Sequence, residues 1–108
     1  MLKKEHGQLD FRKRAKELER QIRAFEPWPG SFTTLDGKLV KVRRAALGTG
    51  QGERGQVIAA DPSGLEVACG EGSLVLLEVQ PEGKRVMTAG EFLAGRTIHA
   101  GDRPFPDP

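Results

Sequence analysis

Apolar residues recur at Phe11, Ala15, Leu18, Ile22 and Phe25, a spacing that predicts one amphipathic helix over residues 11–26 with a single buried stripe. Asp10 stands where its carboxylate can accept from the free amides of the first turn. Pro27 and Pro29 end the helix, because each lacks an amide proton and restricts the residue before it. Trp28, held between them, is read as packing the helix against the sheet. From Ser31 the period falls to two. "SFTTL", the turn Asp36-Gly37 and "KLVKVRR" predict a hairpin. Its second strand turns Val40 and Val42 inward and Leu39, Lys41 and Arg43 outward.

Three more apolar runs come at close spacing, "QVIAAD", "GLEVAC" and "SLVLLEVQ". Alternation places Leu65, Val67 and Cys69 on one face, and Val75, Leu77 and Val79 likewise. Five strands with short turns over residues 31–80 predict a mainly β fold with flanking helices, a small closed or nearly closed antiparallel barrel. A short helix over residues 88–95 begins at Thr88 with Glu91 three positions on, the pattern of a capping box. The domain is expected to run from 11 to 98, with residues 99–108 an extended, loosely held tail.

The 108 residues suit one core. The longest apolar run, "LVLLEV" from Leu74, is too short to span a bilayer, and no stretch near the start resembles a signal peptide. A cytoplasmic protein without membrane association is expected. Cys69 is the sole cysteine, and His6 and His99 have no ligand pattern around them, so no metal site is expected. Gly50, Gly52 and Gly55 show the spacing GxGxxG, but a strand pattern comes next where a dinucleotide loop needs a helix.

Net charge is only +2, yet it is unevenly placed. Residues 1–26 hold 8 basic and 5 acidic side chains, and residues 27–55 hold 5 and 2; residues 56–80 hold none and 4. One side of the folded domain should therefore be basic, which suits phosphate. On the first helix Arg12, Lys16, Arg20 and Arg23 form a cationic ridge, which also reads as a solvated face.

The stretches "IRAFEPWPGSFTTLDGKLVKV", "GSLVLLEVQPEGKRVM" and "TAGEFLAG" together resemble the C-terminal domain of the methionyl-tRNA formyltransferase family, in that family's order and over nearly the whole chain. The family often has asparagine in place of Glu26, tryptophan in place of Phe11, and lysine in place of Arg85. The resemblance implies an open antiparallel barrel resembling an OB fold, with residues 1–10 as an interdomain linker region. It also implies a non-catalytic part that holds initiator methionyl-tRNA mainly through backbone phosphates. The family's catalytic residues and its formyltetrahydrofolate pocket belong to an N-terminal domain, so no cofactor is expected in this chain. That catalytic domain is an expected partner, and the chain is expected to be monomeric.

On this reading Lys38, Lys41, Arg43, Arg44, Arg54, Lys84 and Arg85 are the candidates for phosphate contact, with Lys3 and Lys4 next. Pro27, Trp28, Pro29 and Gly30 form a stiff joint that sets the helix against the barrel. Three other readings compete. A single-strand binder would need aromatic platforms, and only Phe32 is free to serve. An accessory domain of a formyltransferase acting on a small molecule, a nucleotide sugar or a formyltetrahydrofolate hydrolase type, would need no phosphate-tracking face. Independent catalysis would have to draw on Glu66, Glu71 and Glu78, with no nucleophile placed beside them.

Overall fold

The computed structural model describes residues 7–26, 30–35 and 37–105. The chain forms α1 (Ala15–Phe25), β1 (Ser31–Leu35), β2 (Lys38–Leu47), β3 (Val57–Asp61), β4 (Gly64–Ala68), β5 (Ser73–Pro81), β6 (Met87–Thr88) and α2 (Ala89–Ala94). The strands make one antiparallel sheet in the order β1-β2-β5-β4-β3. This is the expected class: a mainly β, open, barrel-like sheet with one helix before it and a short one after. β5 is its hub. One edge pairs with β2 from Val40/Pro81 to Leu47/Leu74, and the other is shared between β4 and β6.

The β2–β5 seam carries a double irregularity. Val42 pairs with Val79, Arg44 with Glu78 and Ala45 with Leu76, so Arg43 and Leu77 fall out of register. Each is one extra residue, and each shifts the pleat by one position. Leu74, Leu76 and Val79 are consequently buried, with Val75 and Leu77 only partly covered. This corrects the expectation that Val75, Leu77 and Val79 share a face, which assumes unbroken alternation. β4 keeps an unbroken register with β5, and Leu65, Val67 and, just past its end, Cys69 are buried as expected.

The first helix starts at Ala15, four residues later than the periodicity suggests. Asp10 does not cap it: its carboxylate accepts from the Arg12 amide at 3.0 Å and from the Arg12 guanidinium at 2.9 and 3.0 Å. The backbone before Ala15 is committed elsewhere. Leu9 N–H donates to the carbonyl of Phe32 at 2.7 Å, Gly70 N–H to Lys13 at 2.9 Å, and Ala15 N–H to Glu71 at 2.9 Å. Residues 9–15 thereby join the β1 edge to the turn between β4 and β5, and a helix there would forfeit those bonds. Phe11 is still buried, as are Ala15, Leu18 and Ile22 of the stripe, while Phe25 is half-buried.

The described part of the segment after α2, up to Phe105, is tied down rather than loose. Val57 N–H donates to Asp102 at 2.8 Å and Gly101 N–H to Val57 at 2.7 Å, which satisfies the free edge at the start of β3. Phe105 is buried with its ring centroid 5.4 Å from that of Phe11. At α2 the capping box is formed as expected: Glu91 N–H donates to the Thr88 hydroxyl, and Thr88 N–H to the Glu91 carboxylate.

Cys69 lies in the core, where burial pushes its thiol up to about 12. Only the thiolate is nucleophilic, so the native chain should resist a disulfide exchange reagent at pH 8 and react rapidly once unfolded in urea. Equal rates in the two states would contradict this placement.

Candidate nucleic-acid interface

The hairpin of β1 and β2 and the outward pleat of β5 bring three of the candidate cations to one end of the sheet. Lys41 stands between Phe32 on β1 and Gln80 on β5. It lines a shallow cleft of about 250 Å³ with Leu39, Pro81, Glu82 and Gly83. Lys38 opens β2 opposite Leu35. Lys84 sits in the turn leaving β5, with its amide donating to Pro81 at 3.0 Å. The Gln80 amide group donates to the Lys84 carbonyl at 3.0 Å, tying this turn to the sheet. Arg44 lies further along β2, opposite Glu78. Arg54 does not join them. It lies in the loop beside the end of β4, where Gly55 N–H bonds Ala68, at the opposite end of the sheet.

The candidates differ in what already neutralises them. Among the described residues no carboxylate pairs with Lys38, Lys41, Arg44 or Lys84. Arg85 pairs with Glu91 at 2.6 Å. Its hydrogen bond holds the Glu91 carboxyl below its ordinary value, and the same bond raises Arg85. Arg43 reaches Glu26 at 3.1 Å, and both side chains are mostly covered. Periodicity offers no signal for that partner, which lies 17 residues earlier. Among the described residues Arg54 has no carboxylate partner either; an unpaired ammonium or guanidinium can meet a phosphate without first giving up a carboxylate.

The cationic ridge is partly neutralised: Arg12, which lies before α1, pairs with Asp10, and Arg23 on α1 pairs with Glu19 at 2.7 Å. Of the joint, only Gly30 is described. It adopts φ of 81°, a left-handed value that favours glycine, and its N–H donates to Phe25 at 2.8 Å. Pro27, Trp28, Pro29, Asp36, Lys3 and Lys4 lie outside the described residues.

Glu66 of β4 has structural partners: it accepts from Gly50 N–H at 2.8 Å and from the Ser73 hydroxyl at 2.6 Å. The glycine-rich loop is thus folded onto β4 and β5 and leads into a strand. Its Gly50 amide is committed to a carboxylate. Among the described residues no group of three or more His, Cys, Asp or Glu side chains could hold a metal ion, and no helix is long and apolar enough to cross a membrane. Every buried side-chain nitrogen and oxygen among them has a hydrogen-bond partner.

Residues 1–97 match the model of a family described as formyl transferase, C-terminal domain. The chain is 60% identical over 105 residues to a methionyl-tRNA formyltransferase of Myxococcus xanthus, covering 97% of this chain and 34% of that protein. It is 48% identical over 101 residues to one of Geotalea daltonii, covering 94% and 32%. The chain therefore spans about a third of the length of these curated relatives. Among solved structures, HypX from Aquifex aeolicus in complex with tetrahydrofolic acid superposes with a TM-score of 0.70 at 17% identity, over 94% of this chain and 21% of that one. A HypX variant gives 0.71 at 19%, over 90% and 19%. Likeness at that identity concerns the fold alone.

Proposed function

The chain belongs to the formyl transferase C-terminal domain family, and from that premise we propose that it is the tRNA-holding part of a methionyl-tRNA formyltransferase. In this reading it is not itself catalytic, and a separate N-terminal domain carries formyltetrahydrofolate and transfers the formyl group to initiator methionyl-tRNA in the cytoplasm. The observation that carries it is the set of cations without carboxylate partners, Lys38, Lys41, Arg44 and Lys84, along β2 and in the turn that leaves β5. Three of them converge beside the Lys41 cleft. Folded RNA offers phosphates and 2′-hydroxyls more readily than base edges, so such a face recognises shape and charge with little reading of sequence. Only a monomer is needed for this contact.

The test is titration of initiator tRNA into the chain at several salt concentrations, against single-stranded RNA of matched length. Folded tRNA should be preferred, with affinity falling steeply as salt rises. Replacing Lys38, Lys41, Arg44 and Lys84 together by Gln should weaken binding by about 10- to 100-fold and flatten the salt dependence. Unchanged affinity in that variant would overturn this set of contacts, and no binding of tRNA by the unaltered chain would leave the domain as a support for a small-molecule formyltransferase.

A further inference from the structure

We infer that Arg43 is a positioning residue, clamping the exit of α1 and the Lys84 turn onto the sheet, and is not itself a phosphate contact. This rests on the RNA-holding reading for its consequence, though not for its geometry. The irregularity in β2 takes Arg43 out of register, which frees its guanidinium to reach in two directions. Nη1 donates to both carboxylate oxygens of Glu26, at 3.3 and 3.1 Å, and Nε donates to Oε1 of Gln80 at 3.1 Å. Gln80 then uses its Nε2 to donate to the carbonyl of Lys84 at 3.0 Å. Four elements are linked in one line: the C-terminal cap of α1, the bulge of β2, the middle strand, and the turn that presents Lys84.

Charge decides why the pair should persist when an anion arrives. Glu26 comes directly after the last turn of α1, where the helix dipole disfavours a carboxylate. Beside a cationic face it would also repel phosphate. Arg43 offsets both effects, and transferring its guanidinium to a phosphate would leave Glu26 half-buried and unpaired next to another anion. Keeping the pair closed is the lower-energy arrangement, and what Arg43 then contributes is geometry: the direction in which α1 leaves the sheet and the place of Lys84.

Two variants of the whole chain separate the roles. Glu26→Gln removes a negative charge and releases Arg43. If Arg43 positions, tRNA affinity falls by about 3- to 10-fold, whereas a destabilising control on the C-terminal segment, Ile98→Val, leaves it unchanged. If Arg43 is a phosphate contact held in check, Glu26→Gln binds more tightly, and the inference is overturned. Hydrogen exchange on the free chain gives a readout that needs no RNA. Arg43→Gln should speed exchange at the amides of both Gly30 and Lys84, and Glu26→Gln at Gly30 alone. Unchanged protection at Gly30 and Lys84 in Arg43→Gln refutes the clamp. Should the chain bind no tRNA, the functional reading fails, and exchange still decides the clamp.

Discussion

Gly70→Ala is expected to destabilise the chain by on the order of 3 kcal/mol, although Gly70 is exposed in a turn. A Cβ there would lie 1.9 Å from the carbonyl oxygen of Arg12 and 2.8 Å from its carbon, both backbone atoms that no rotamer change can move. The turn and the segment before α1 would have to part. That breaks the bond from Gly70 N–H to Lys13 and strains the neighbouring bond from Ala15 N–H to Glu71. The comparison is Gly95→Ala, whose Cβ meets nothing within 4 Å and which should change stability by less than about 0.5 kcal/mol. Urea midpoints for the two variants decide the matter. Equal values would mean that the close approach contributes nothing.

The second large effect lies in the seam between β2 and β5. Leu74 and Leu47 are register partners, yet Leu74 is fully buried and Leu47 is 51% exposed. Leu74→Ala removes the same atoms as Leu47→Ala, but from a packed core that cannot fully collapse around the gap. We expect a loss of about 3–4 kcal/mol for Leu74→Ala and under about 1 kcal/mol for Leu47→Ala. Chemical denaturation with an unchanged m-value would confirm that both numbers report the native state. A small loss at Leu74 would place the core elsewhere.

Much of this architecture is legible in the sequence because its signals are local. Ala15, Leu18 and Ile22 carry the helical period, Leu65, Val67 and Cys69 are buried as expected, and Thr88 with Glu91 forms the box their spacing suggests. What is not legible depends on partners distant along the chain. Asp10 has the right identity for a helix cap, but the backbone after it is claimed by Gly70 and Glu71. A pattern read along one strand cannot show that Arg43 and Leu77 are both extra residues, since a bulge is a property of two strands in register. Phe105 reads as part of a loose tail because Phe11, which it covers, stands at the other end of the chain.

The candidate interface divides in the same way. That Lys41 and Arg43 point away from the core is a corollary of Val40 and Val42 pointing into it. That Arg43 is paired and Lys41 is not depends on Glu26, which helical periodicity can only mark as a helix end. Separating Arg54 from Lys38 requires the strand order, because the two lie in adjoining stretches of sequence and at opposite ends of the sheet.

The central place of β5 also has a consequence in time. The β1–β2 and β3–β4 hairpins join residues a few positions apart and can form within microseconds. The β2–β5 pairs, from Leu47/Leu74 to Val40/Pro81, close long loops and bear a larger entropic cost before any contact repays it. Folding is expected to wait on that closure, with Leu74, Leu76 and Val79 open to water and to other chains until β2 arrives. A newly made chain is therefore most prone to aggregate through the strand that ends up best covered.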